Sequence, residues 1–327
     1  YTPLHLASRS GHAEVAAALL AAGANANAFT TTGATALHFA AEANASDVIN
    51  ALVTHGADVD ASDGFAKRTP LMFASARNST DAVTALLAAG ADPALSTRVK
   101  NYMELDSIAR WEQQQRRRII EAAKDPEPEP EVEAEAEEAP ESETPPDSVN
   151  AEEAADTATS PEDPPEEPEA EPEADTTGLK SMSYTEQVGR QGGFTALHYA
   201  AREGHRETAR RLVEAGADVD QPTAGDRSTP MLVAVINGNY DLARDLLEAG
   251  ADPNLVSDDG VAPLFATLNI EWSLRTWYPQ PQAFRQQDTD YLEFMKLLLE
   301  AGADPNLRTE THTWYASYNA GRMGVDF

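Results

Sequence analysis

Residues 193–220 read Gly-Phe-Thr-Ala-Leu-His-Tyr-Ala-Ala-Arg-Glu-Gly-His-Arg-Glu-Thr-Ala-Arg-Arg-Leu-Val-Glu-Ala-Gly-Ala-Asp-Val-Asp. Thr195 is placed to cap a helix, its hydroxyl serving an amide left free in the first turn. Leu197, Tyr199 and Ala200 form a short apolar face, and Gly204-His205 breaks the helix. A second helix follows through Ala209, Leu212 and Val213. Gly216 ends it in the left-handed conformation that glycine adopts most cheaply. Ala217-Asp218-Val219-Asp220 leads out with turn chemistry. Helices of about ten residues are marginal alone in water, so one such pair must stack on others to bury its apolar face.

The pattern recurs. Thr2, Thr35 and Thr69 are 33 and 34 residues apart, Thr195 and Thr229 are 34 apart, and Ala262 follows at 33. Proline, suited to the first helical position, follows at Thr2-Pro3, Thr69-Pro70 and Thr229-Pro230. Leucine pairs and glycine stops keep step from Leu19-Leu20 and Gly23 to Leu298-Leu299 and Gly302. This resembles the ankyrin repeat, with its period of about 33 and Thr-Pro-Leu-His core. The expected fold is an all-α ankyrin-repeat solenoid, each unit a helix–turn–helix with a projecting finger, carrying a disordered acidic insertion.

The expected organisation has repeats one to three over residues 1–94 and a degenerate helical repeat four over 95–124. A disordered Pro/Glu-rich insertion occupies 125–177, and repeats five to seven fill 178–327 with the start of a further repeat. The fourth unit lacks Thr-Pro and an internal glycine. Met103, Leu105, Ile108, Trp111, Ile119 and Ile120 suggest one or two helices with an apolar stripe. It is expected to pack on both neighbours, so that the acidic tract loops out of one continuous solenoid. The alternative is two solenoids on a tether. In repeat seven the second helix arrives late: Gly250 to Gly302 is 52 residues. An aromatic insertion at about 271–290 accounts for the excess.

Net charge is −31, and residues 125–175 hold 22 acidic side chains and no basic one, leaving −9 for the rest. Nucleic acid is not expected as a partner, because phosphate binding needs a basic footprint. Few apolar side chains in the tract offset its ordering entropy, hence the expected disorder. Cysteine is absent, which excludes disulfides and thiol chemistry. No apolar run approaches the ~20 residues needed to cross a bilayer. The chain opens on Tyr1 beside a helix cap and closes on Phe327 where another repeat is due. It reads as part of a longer array, and its compartment is unassigned.

No constellation for catalysis, metal or cofactor binding is present: no Gly-x-Ser-x-Gly, no phosphate-binding glycine loop, no His-Glu-x-x-His. His5, His38 and His198 lie a repeat or more apart, not clustered as ligands. The resemblance implies that they form a hydrogen-bonded ladder with the threonines. It also implies a noncatalytic, monomeric scaffold that binds a protein partner on finger tips and first-helix faces. The positions so implied are Phe29, Thr31, Asp63, Phe65, Lys67, Arg68, Arg77, Arg202, Glu203, Asp226, Arg227, Ile236 and Asn237. An alternative is a small-ligand receptor or enzyme accessory subunit, whose pocket would be lined by Trp272, Trp277, Tyr278, Trp314 and Tyr315. Tyr-Pro-Gln-Pro at 278–281, Trp314-Tyr315 and the closing Gly-Val-Asp also look like a group of bacterial ankyrin-repeat proteins of unassigned activity.

Overall fold

A computed structural model describes residues 1–124, 189–272 and 286–309, with the side chains of 121–124 and 270–272 outside the description. The expected disorder of 125–177 and most of the aromatic insertion fall outside it. The helices come in pairs: α1 (Pro3–Arg9) and α2 (Ala13–Ala21), α3 (Ala36–Glu42) and α4 (Ser46–Thr54), α5 (Pro70–Ala76) and α6 (Thr80–Ala88). After strand β1 (Lys100–Asn101), helix α7 (Tyr102–Lys124) and strand β2 (Arg190–Gln191), three more pairs follow. These are α8 (Ala196–Glu203) and α9 (Arg206–Glu214), α10 (Pro230–Ile236) and α11 (Tyr240–Glu248), α12 (Pro263–Trp272) and α13 (Tyr291–Glu300). The chain divides into two compact units, Tyr1–Ile108 with Ser183–Phe327, and Ala109–Met182. The first unit is the solenoid.

Three first helices begin as the sequence dictates, and at the first of them the Thr69 hydroxyl accepts from the Met72 amide at 3.4 Å. The hydroxyls of Thr195 and Thr229 accept from the amides of His198 and Leu232, satisfying first-turn donors. The core is built from the inward leucines and alanines of both helices, such as Leu37, Leu52, Leu71, Leu86, Leu197 and Leu212, each fully buried. Asn44 and Asn78 occupy the interhelical turns with φ of 55° and 56°, where glycine stands in other repeats. Asparagine tolerates this region better than other side chains. Each asparagine also reaches into the next repeat: Asn44 Oδ1 accepts from the Ala82 amide at 2.9 Å, and Asn78 Oδ1 accepts from the Thr208 hydroxyl at 2.9 Å.

That last bond bears on the expected fourth repeat. Helix α5 packs directly on α8, and α6 on α9, just as α3 packs on α5. Arg211 donates to the Thr84 hydroxyl at 2.7 Å, and Gln221 to the Ala94 carbonyl at 2.9 Å. Repeats three and five are therefore adjacent, and nothing is wedged between them. The expectation that 95–124 packs as a repeat on both neighbours is corrected. Without a Thr-Pro cap or an internal glycine, Tyr102–Lys124 cannot break into two short helices and stays a single helix of 23 residues. Its intended core residues, among them Trp111 at 61% and Ile119 at 69% exposure, face solvent.

The chain leaves and rejoins the solenoid through one finger. Thr97 N–H donates to the Phe194 carbonyl at 3.0 Å, and Phe194 N–H to the Thr97 hydroxyl at 2.9 Å. The same pairing closes the ordinary finger at Thr30 and Ala34. Beyond it β1 and β2 pair antiparallel, Lys100 opposite Gln191. The long excursion is thus an insertion into the tip of one finger. A similar economy holds at repeat seven, where Asn254 Oδ1 accepts from the Asp304 amide at 2.7 Å, repeating the link from Asn27 to Asp58. The return from that insertion is tied down by Asp241, whose carboxylate accepts from the amides of Asp288 and Thr289 at 3.0 and 2.9 Å.

Candidate interaction surface

Two rows of side chains run along the solenoid from repeat to repeat. The first comes from the threonines and the residues three positions later. The backbone N–H of Thr35 donates to His38 Nδ1 at 3.1 Å, and that of Thr195 to His198 Nδ1 at 3.2 Å. Nδ1 is therefore an acceptor, which leaves the ring proton on Nε2. His38 Nε2 then donates to the Arg68 carbonyl at 3.0 Å and His198 Nε2 to the Ser228 carbonyl at 3.1 Å, each in the next finger. His5 reaches the Ala28 carbonyl at 3.1 Å in the same way. Burial lowers the pKa of all three imidazoles, that of His198 to about 4. They are structural and neutral.

The ladder has a gap at the junction that carries the insertion. Met72 stands where histidine would, with its sulfur 3.5 Å from the Thr69 amide. The Arg68 and Ser228 carbonyls each receive a finger amide as well as a histidine, whereas among the described residues the Phe194 carbonyl receives only Thr97. Met72→His is expected to supply the missing donor and stabilise the fold by about 1 kcal/mol, the usual net value of such a bond. Urea denaturation measures this, and a lower midpoint would contradict the equivalence of this junction to the others.

The second row lies one position further on. Phe39, Phe73 and Tyr199, each four residues after its threonine, are half-buried on the first-helix face. Phe39 packs beside Tyr1 and His5 with ring centroids 5.6 and 5.7 Å away. The Arg68 guanidinium lies 4.5 Å over Phe73, and that of Arg202 lies 5.0 Å over Tyr199. Burial raises the Tyr199 pKa, against the opposing influence of Arg68 and Arg202. Arg68 thus sits within electrostatic reach of both rings across the repeat three–five junction. A cleft of about 400 Å³ lined by Tyr1, Arg9, Phe39, Glu42 and Ala43 continues this face. Column-wise reading of the sequence would have found these aromatics, since they share one repeat position.

The expected contact residues fall into distinct environments. Phe29 and Phe65 are 75% and 65% exposed on finger tips, with the Lys100 ammonium 5.1 Å from the Phe65 ring. Thr31, Lys67, Arg77, Arg202, Glu203, Asp226 and Arg227 are exposed, while Ile236 and Asn237 are half-buried. Arg77 pairs with Glu42 at 2.9 Å, and Arg202 with Glu203 at 2.8 Å. Asp226 accepts from Thr223 and Ser228 hydroxyls at 2.6 and 2.8 Å, stiffening its own finger.

Asp63 does not reach the surface, and here the expectation of a contact residue is corrected. It is 3% exposed and accepts from the amides of Ala66 and Arg68 and from Arg68 Nε, all at 2.9 Å. Burial alone would raise its pKa, but these donors and the Arg68 charge together lower it. A short polar finger needs an internal acceptor, and Asp63 is it. Arg68 is consequently half structural, so reversing its charge would set two carboxylates side by side. Of the aromatic set, Trp277, Tyr278, Trp314 and Tyr315, and the side chain of Trp272, lie outside the described residues.

A family model of ankyrin repeats (three copies) matches residues 4–97 and 178–257, more than half of the chain. The chain belongs to the ankyrin-repeat family. Among solved structures, the crystal structure of the human ASB11 ankyrin repeat domain is similar with a TM-score of 0.53 at 19% identity, covering 94% of this chain and 87% of that one. At that identity the likeness shows the shared fold. No curated protein matches the chain. Ankyrin repeats generally mediate protein–protein interaction, and no described helix is long and apolar enough to cross a membrane.

Proposed function

We propose that this chain is a noncatalytic scaffold that holds a protein partner along its fingers and first-helix faces. The observation that carries this reading is the aromatic–guanidinium row: Phe39, Phe73 under Arg68, and Tyr199 under Arg202. Aromatic rings and arginines are the side chains that most often anchor interfaces. A half-buried ring held by the scaffold loses little entropy on binding. The kinship with the bacterial group of ankyrin-repeat proteins rests on the sequence motifs alone.

The test is capture of partners from native lysate on the immobilised chain. Tyr199→Ala and Arg202→Glu are expected to lose at least tenfold of the captured partner, since anchor residues each contribute about 1–2 kcal/mol or more. Glu14→Lys, on the opposite second-helix side, is expected to retain it. Identical capture by all three variants would end the proposal.

A further inference from the structure

The finger tips of this acidic protein carry a local excess of positive charge. Neighbouring tips are joined by backbone hydrogen bonds: Gly64 N–H to the Thr32 carbonyl at 2.8 Å, Arg98 N–H to the Ala66 carbonyl at 2.7 Å, and Asp258 N–H to the Asp226 carbonyl at 2.8 Å. The Arg190 guanidinium bridges to the Ala224 carbonyl at 3.1 Å. Along this row Lys67, Arg98, Lys100, Arg190 and Arg227 are all exposed. Among the described residues the carboxylate nearest to pairing is Asp258, 4.0 Å from Arg227. The chain as a whole has 55 acidic residues against 24 basic, so five cations on three consecutive fingers are a marked local departure.

Backbone conformation supplies a second, independent observation. Among the described residues, the position two before each repeat-opening residue from Thr35 to Ala262 takes positive φ. It is glycine at Gly33, Gly193 and Gly260, with φ of 81°, 74° and 74°. In the two fingers flanking the insertion finger it is Lys67 at 58° and Arg227 at 60°. A long side chain in this region is strained relative to glycine. Strained residues persist where the surroundings hold them and where they serve a site. Both exceptions are basic, and both are exposed on the fingers that flank the insertion finger.

We infer that this strip is a docking surface for an acidic, extended segment of a partner protein. The inference rests on the interaction reading above and specifies the partner's chemistry. At physiological salt charges act over about 8 Å, so a ligand lying on the strip feels these cations more than charges farther off than that. Asp226 and Asp258 interrupt the cations. A peptide can space its carboxylates around them, whereas the uniform charge of a nucleic-acid backbone cannot.

The experiment uses the intact chain and a fluorescein-labelled peptide of about twenty alternating Glu and Ala residues, read by anisotropy. Saturable binding that weakens as salt rises from about 50 to 300 mM is expected. Lys67→Gly and Arg227→Gly are each expected to weaken it about threefold, the scale of one exposed charge pair. Both should also raise Tm, because glycine relieves the positive φ. Weaker binding with higher Tm supports a functional strip. A lowered Tm in both variants would mean that the tips serve the fold, and would overturn the inference. So would absent binding, equal binding of a Lys/Ala peptide, or tighter binding of oligo-uridine. If Tyr199→Ala loses partner capture while the acidic peptide fails to bind, the strip proposal falls and the interaction reading stands.

Discussion

Lowering the pH from about 6.5 to about 4 is expected to remove about 3 kcal/mol of folding stability through His198 alone. The imidazole is fully buried, and burial lowers its pKa from 6.5 to about 4. The neutral ring is the one that fits: Nδ1 accepts from the Thr195 amide, and Nε2 donates to Ser228. A proton on Nδ1 would face the Thr195 N–H and take away that amide's acceptor, with only the Thr195 hydroxyl, 2.8 Å away, to receive it. The unfolded chain takes up that proton at pH 6.5, the folded chain only near 4. Between these values the unfolded state binds more protons, so the stability is full above pH 6.5 and gone below about 4. His5 and His38 shift in the same direction and add to the slope.

The buried carboxylates act elsewhere. Asp63 and Asp241 have lowered pKa values, so their contribution is lost only at pH below their normal range. The control is His198→Met, which copies the residue of repeat three. It is expected to cost about 1–3 kcal/mol at pH 7.5 through lost hydrogen bonds. That deficit should shrink toward zero at pH 4.5. Urea denaturation of both proteins at the two pH values measures it. A deficit that stays constant would mean that His198 is protonated in the native state and the ladder is wrongly assigned.

Gly193→Ala is expected to cost about 3 kcal/mol. The residue has φ of 74°, which for alanine costs about 1–2 kcal/mol. An added Cβ would also stand 2.3 Å from the Ala224 backbone nitrogen and 2.7 Å from the Ala224 Cβ. The two fingers must then separate, adding an overpacking cost of about 1–3 kcal/mol. Gly90→Ala is the matched comparison, with φ of 90° and nothing within 4 Å of its Cβ. It carries the conformational cost alone. The difference between the two variants, read from denaturation curves, isolates the close approach of neighbouring fingers. Equal losses would refute that approach, and with it the continuous row of tips on which the charged strip is built.

The repeating units could be read from the sequence because their causes are local. Thr195 caps within its own turn, Gly216 stops its own helix, and the 33–34 residue spacing exposes the copies. The finger aromatics Phe29 and Phe65 were legible for the same reason, as large apolar side chains in polar loops. The first-helix row of Phe39, Phe73 and Tyr199 was present in the sequence but needed reading across repeats. Asp63 was misread because an acidic residue in a loop is ordinarily solvated. Its three backbone and side-chain donors come from the fold of the finger around it.

The sequence by itself determined the helix pairs, their caps and stops, and the need for them to stack, since these follow from nearest-neighbour backbone chemistry and short-range apolar spacing. Only the tertiary structure decided which pair lies against which. Residues 95–124 carry a helical pattern that fits a degenerate repeat, yet α5 meets α8 directly through complementary faces separated by more than a hundred residues in the chain. Stacking depends on the match of two surfaces, and a local pattern of apolar residues does not specify its partner. The same cause places Lys67, Arg98, Lys100, Arg190 and Arg227 in one strip. Their adjacency exists only once the insertion has been drawn out through a single finger and the repeats on either side have closed together.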